Sequence, residues 1–162
     1  MTLDIRKTMV LLGTLACVLG VSAGQVSRDR LHQPDRVMDT VGLKEGMVIG
    51  EVGAGSGYFT FHLARRVGES GKVYANDISR SALNSLERRS RQEGLANIET
   101  ILGESRDPLL PPGLEMVFIV NAFHDISHPV PLLNNLADSL KPGAAVIIVT
   151  IMGPMFPVTD KK

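Results

Sequence analysis

The sequence contains no tryptophan, and aromatic residues make up only 4% of its 162 positions. Platforms that hold single-stranded nucleic acid need several rings on one surface, so that class of partner is disfavoured. An excess of charge of either sign is lacking too. Lysine and arginine together number 17, as do aspartate and glutamate, which leaves no global field to draw in nucleic acid or an acidic membrane. The one concentrated basic run, Arg88-Arg89-Ser90-Arg91, falls where the periodicity is helical. It reads either as a solvated helix face or as a contact for RNA or another partner. Cys17 is the sole cysteine, so no intramolecular disulfide can form, and no Cys or His cluster has zinc spacing. No metal site is expected. Internal repeats and low-complexity tracts are absent, and the length suits one domain.

What is present begins with a leader. Arg6 and Lys7 precede an uncharged stretch from Thr8 to Ser27 that opens on Met9-Val10-Leu11-Leu12. A positive region followed by an apolar one is the pattern of an export signal, and Val21-Ser22-Ala23 supplies small residues for cleavage after Ala23. Residues 1–24 are therefore expected to be a signal peptide or, if retained, a membrane anchor through residues 9–24. The protein is accordingly expected to be exported or membrane-anchored. A start codon assigned too far upstream of a cytoplasmic protein is the competing reading. Residues 25–33 are polar and read as a linker, and the domain proper is expected over residues 34–162.

Within that domain, apolar runs alternate with amphipathic ones. Pro34 opens a short helix over Asp35 to Val41, and Leu43-Lys44-Glu45-Gly46 is a turn. Strands are expected at Met47–Val52, Lys72–Asn76, Asn97–Leu102, Met116–Val120 and Ala144–Ile151. Between them, Phe59, Leu63 and Val67 recur at helical spacing, and Ser79 can cap a helix that turns Ala82, Leu83 and Leu86 inward and stops at Gly94. A last helical stripe, Leu132, Leu133, Leu136, Ala137 and Leu140, is stopped by Lys141-Pro142-Gly143. Alternation of this kind predicts an α/β fold: a doubly wound, Rossmann-like, mostly parallel sheet of about five strands with helices on both faces.

The loop after the first strand carries the ligand signal. Glu51-Val52-Gly53-Ala54-Gly55-Ser56-Gly57-Tyr58 places glycines at alternate positions directly before a helix start. Such a loop lets a ligand approach the backbone beside unpaired N–H groups, in the crevice at the carboxyl ends of a parallel sheet. A dinucleotide fingerprint needs its third glycine at position 58, which is Tyr58 here. Asp77, at the end of the second strand, reads as an acceptor for both hydroxyls of a ribose or as an acid at the N-terminus of the next helix. Ile78 beside it suits an adenine face or the core. Glu104, after the third strand, suits an adenine amino group or an exposed loop.

Together these residues resemble the class I S-adenosylmethionine-dependent methyltransferases. The stretch from Glu51 to Gly57 is similar to that family's first motif, Gly71 to Ile78 to its acidic-strand motif, Met116 to His124 to its fourth motif, and Leu140 to Ala144 to its turn into the fifth strand. The resemblance runs in order from about Pro34 to Thr150. It implies S-adenosyl-L-methionine as cofactor, with Gly53, Ala54, Gly55 and Gly57 along the methionine part and Glu51 near its ammonium. It further implies Asp77 on the ribose, Ile78 and Glu104 at the adenine, and Asn121 beneath the sulfonium. Glu115 and Ala144 depart mildly from the family pattern. The family's C-terminal antiparallel hairpin is not expected, because little chain follows the fifth strand and Pro154 and Pro157 disfavour another one. A second copy covering the fifth strand's edge is then one expectation, and a domain that binds the cofactor without turnover is the alternative to catalysis. His124 and Asp125 are the candidate catalytic residues, as a base for an acceptor that arrives protonated or as strand-end structural groups. The expected acceptor is a small molecule, quinone-like in character.

Overall fold

Apolar runs that are covered on both sides become parallel strands, and that is how this chain folds. The computed structural model describes residues 29–150 apart from position 31. The leader at residues 1–24 and the tail from 151 to 162 lie outside the described residues. Asp29, Arg30 and His32, in the stretch expected as a linker, are helical, and the Gln33 N–H donates to the Asp29 carbonyl at 2.8 Å. No helix among the described residues is long and apolar enough to cross a membrane.

From Pro34 the order is α1 (Pro34–Thr40), β1 (Val48–Val52), α2 (Tyr58–Val67), β2 (Lys72–Asp77), α3 (Arg80–Glu93), β3 (Ile98–Leu102) and β4 (Leu114–Val120). A 3₁₀ turn at Phe123–Asp125, α4 (Pro129–Ala137) and β5 (Leu140–Val149) complete it. The described strands form one sheet in the order β3-β2-β1-β4-β5, and every neighbouring pair is parallel. The chain runs outward from β1 through β2 to β3, then returns to β4 on the other side of β1. The crevice between the carboxyl ends of β1 and β4 is therefore the topological switch point.

Strand alternation divides the core. Ile49, Val73 and Phe118 face Phe59, Leu63 and Val67 of α2 and Met38 of α1, while Ala75 packs on Leu86 of α3. Val52, Val117 and Ile119 face the other way, onto Leu132 and Leu136 of α4 and onto Leu110 and Leu114. Full burial of each such side chain stabilises by about 1.5–3 kcal/mol, enough in sum to fix both layers. Ser79 caps α3 by accepting from the Ala82 N–H at 3.4 Å, and Gly94 ends it in the left-handed region at φ 68°.

Most boundaries lie within two residues of the pattern read in the sequence, and two differ more. Leu140 is not helical. The chain leaves α4 at Ala137 because Ser139 is already anchored to the sheet's start: its hydroxyl donates to the Leu110 carbonyl and its own carbonyl accepts from the Leu114 N–H, both at 2.9 Å. The run Lys141-Pro142-Gly143, expected as a turn before the strand, is an irregularity inside it. Leu140 pairs with Leu114 and Ala145 with Met116, so the residues between bulge out of register.

Candidate functional site

The three glycines of the loop after β1 all have positive φ: 75° at Gly53, 57° at Gly55 and 92° at Gly57. Two of them are also sterically fixed. A Cβ on Gly53 would lie 2.6 Å from the Ala122 Cβ, so the loops after β1 and β4 touch through this position. A Cβ on Gly57 would lie 2.7 Å from Phe61 and 2.9 Å from Leu86, so the head of α2 packs onto α3 only where no side chain intervenes.

Asp77 ties the loop to the end of β2. Its Oδ2 accepts from the Gly55 N–H and its Oδ1 from the Ser79 N–H, each at 2.8 Å. A carboxylate offers about four lone-pair positions, so two remain for a ligand after this clamp is made. The helix-terminus contact expected of Asp77 is thus present, and the side chain is held by backbone on both sides.

Glu51 lies beneath the loop and is 2% exposed. The buried Thr60 hydroxyl of α2 donates to its Oε2. Burial pushes the Glu51 carboxyl up to about 8, opposed by the Thr60 hydrogen bond and reinforced by the Asp77 carboxylate. It is therefore a neutral acid at neutral pH, ready to ionise if a cation arrives.

A cleft of about 310 Å³ opens at the switch point, within the size range of small-ligand sites. Of the residues singled out in the sequence, Gly53, Asp77, Ile78, Glu104, Asn121 and Asp125 line it. Ile78 is 66% exposed, an apolar side chain presented to solvent at the cleft wall. Asn121 holds φ 50°, a conformation uncommon outside glycine, while its N–H donates to the Val149 carbonyl at 2.7 Å. Glu51 is buried and does not line the cleft, Ala54 packs with Ala75 and Leu86, and Gly55 and Gly57 are not among the lining residues. His124 does not line the cleft; its Nε2 lies 3.4 Å from Asp125 Oδ2, with both side chains largely exposed.

The cleft is also lined by Val52, Ala122, Ile126 and Leu132, which form an apolar wall, and by Asn76, none of them marked in the sequence as a site residue. The wall carried no signal beyond ordinary core pattern. Asn76 did carry one, as a polar residue within an apolar strand. Among the described residues no group of His, Cys, Asp or Glu could hold a metal ion.

A parallel sheet with a glycine loop, an acid at the end of the second strand and an open cleft at its switch point defines a nucleoside-binding α/β domain. Comparison with known proteins narrows this. The methyltransferase-domain profile matches residues 43–157, and the chain belongs to that family. It is similar to an S-adenosylmethionine-dependent methyltransferase structure from Aquifex aeolicus, at 34% identity and a TM-score of 0.74, over 79% of this chain and 72% of that one. It is also similar to a demethylmenaquinone methyltransferase of Lactococcus lactis, at 27% identity over 76% of this chain and 49% of that protein. A tRNA U34 carboxymethyltransferase of Desulfotalea psychrophila is 30% identical over 65% of this chain and 33% of that protein. The chain thus spans between a third and a half of these two curated relatives' length.

Proposed function

We propose that the chain binds S-adenosyl-L-methionine in the switch-point cleft and transfers its methyl group to a small, apolar, quinone-like acceptor. The observation that carries this reading is the Asp77 clamp, which joins the glycine loop to the acidic end of β2 and leaves carboxylate lone pairs facing the cleft. The residues fit the cofactor. Gly53 lines the cleft with bare backbone, Asp77 suits ribose hydroxyls, Ile78 offers an apolar face to a base, and Glu51 can neutralise an ammonium by giving up its proton. Asn121 stands at the end of β4 beside the apolar wall.

When bound, the cofactor supplies an activated methyl group on a sulfonium. The chain supplies orientation and exclusion of water. In this reading Asp125, which lines the cleft, takes a proton from an acceptor that arrives protonated, and His124, 3.4 Å from its carboxylate, orients it. The apolar wall of Val52, Ala122, Ile126 and Leu132 favours an uncharged ring over a nucleic-acid backbone, and the similarity to the demethylmenaquinone enzyme supports the same choice.

The test is transfer of labelled methyl from S-adenosylmethionine to demethylmenaquinol, followed in an organic extract. Labelled product is expected, and Asp125→Asn should lower the turnover about a hundredfold with little effect on cofactor affinity. Labelling of tRNA in its place would reject the acceptor. Cofactor binding with no transfer to either would select the non-catalytic alternative.

A further inference from the structure

Asn76 sits one residue before Asp77 on β2, so its side chain points to the opposite face of the sheet, under the segment that follows β3. It is 3% exposed. Its amide nitrogen donates to the Pro108 carbonyl at 2.7 Å and to the Ile101 carbonyl at 3.3 Å. Those carbonyls bracket the turn that carries Glu104 and Ser105 into the cleft. The turn presses close: a Cβ on Gly103 would lie 2.2 Å from Asn76 Nδ2 and 3.1 Å from the Pro108 carbonyl oxygen. Other bonds finish the turn, with the Glu104 N–H donating to the Asp107 carbonyl at 2.7 Å and Asn135 donating to the Arg106 carbonyl at 2.9 Å. A buried amide in an apolar strand is costly unless its donors are used, and here both go to the turn.

We infer that Asn76 is a positioning residue for nucleobase recognition: by holding Ile101 and Pro108 it places the Glu104 carboxylate to accept from the exocyclic amine of an aminopurine. This rests on the methyl-donor reading above. An oxo group at the same ring position would face the Glu104 carboxylate as acceptor against acceptor, so the site should prefer the amino base. Asn76 would then set specificity through the turn without touching the reacting atoms.

The experiment compares the affinities of S-adenosylhomocysteine and S-inosylhomocysteine, which differ at that ring position. Wild type should prefer the adenosyl compound by about tenfold, the scale of one hydrogen bond to a charged group. Asn76→Ala, Gly103→Ala and Glu104→Gln should each bring the ratio to within about twofold of unity. Glu104 is exposed, so its variant reads the contact even if the Asn76 change prevents folding, which circular dichroism will show. Equal loss of both affinities in folded Asn76→Ala and Gly103→Ala, with the ratio kept, would reduce Asn76 to a structural role and overturn the inference. A ratio unchanged in Glu104→Gln would overturn it as well. Wild type binding neither compound would bring down the methyl-donor reading itself.

Discussion

Glu51 is kept from water with the Thr60 hydroxyl as hydrogen-bond partner and the Asp77 carboxylate raising its proton affinity further. From α2 it meets Thr60, and from β2 the charge that acts on it is Asp77. Because its folded-state value, about 8, lies above the ordinary 4.5, the folded protein holds a proton that the unfolded chain has released. The stability this group contributes is complete below the ordinary value and is lost as pH rises toward the folded one. Urea denaturation should therefore show wild type losing stability relative to Glu51→Gln between those pH values, by about a few kcal/mol in all. Parallel pH profiles for the two proteins would contradict this. The same proton should leave when an ammonium settles nearby. Calorimetry at pH 7 in buffers of different ionisation enthalpy should report release of about one proton on S-adenosylmethionine binding, and none in Glu51→Gln. The proton linkage was not legible in the sequence, although the place of Glu51 inside the apolar run Met47–Val52 marked it for burial.

At the scale of elements, the head of α2 is where sequence pattern and packing agree best. Tyr58 excludes the dinucleotide fingerprint, and Gly57 is required both by its φ of 92° and by the closeness of Phe61 and Leu86. Gly57→Ala should cost about 1–3 kcal/mol in chemical denaturation, through backbone strain and overpacking against α3. A cost near zero would mean that α2 and α3 can separate freely at this point. The apolar stripe of α2 and the capping residues of α3 were readable because period and caps are local. The end of α4 was not, because Leu140 continues a helical stripe that Ser139 breaks by hydrogen-bonding to Leu110 and Leu114, far off in the chain. The bulge at Lys141-Pro142-Gly143 is likewise set by pairing with β4, where turn-forming residues absorb an offset that pattern alone places outside the strand.

For the whole molecule, strand and helix alternation implied a parallel sheet with helices on both faces, and the sheet is of that kind. Its order, and so the switch point between β1 and β4, depends on the return of the chain after β3, which no periodicity records. The cleft was legible in part. Glycine spacing and Asp77 pointed to it from one side, while the apolar wall from Ala122 to Leu132 reads in sequence as ordinary core. Membership of the methyltransferase-domain family and the Asp77 clamp lead to the same central claim, that this cleft holds the sulfonium nucleoside. The most direct test is calorimetric titration with S-adenosylmethionine and S-adenosylhomocysteine, with NADH as control, for wild type and Asp77→Ala. The prediction is micromolar binding of both sulfur nucleosides, none of NADH, and affinity lowered by at least about tenfold in the variant, as expected for the loss of charge-assisted hydrogen bonds. Affinity unchanged by Asp77→Ala, or no binding by a folded wild type, would contradict the account.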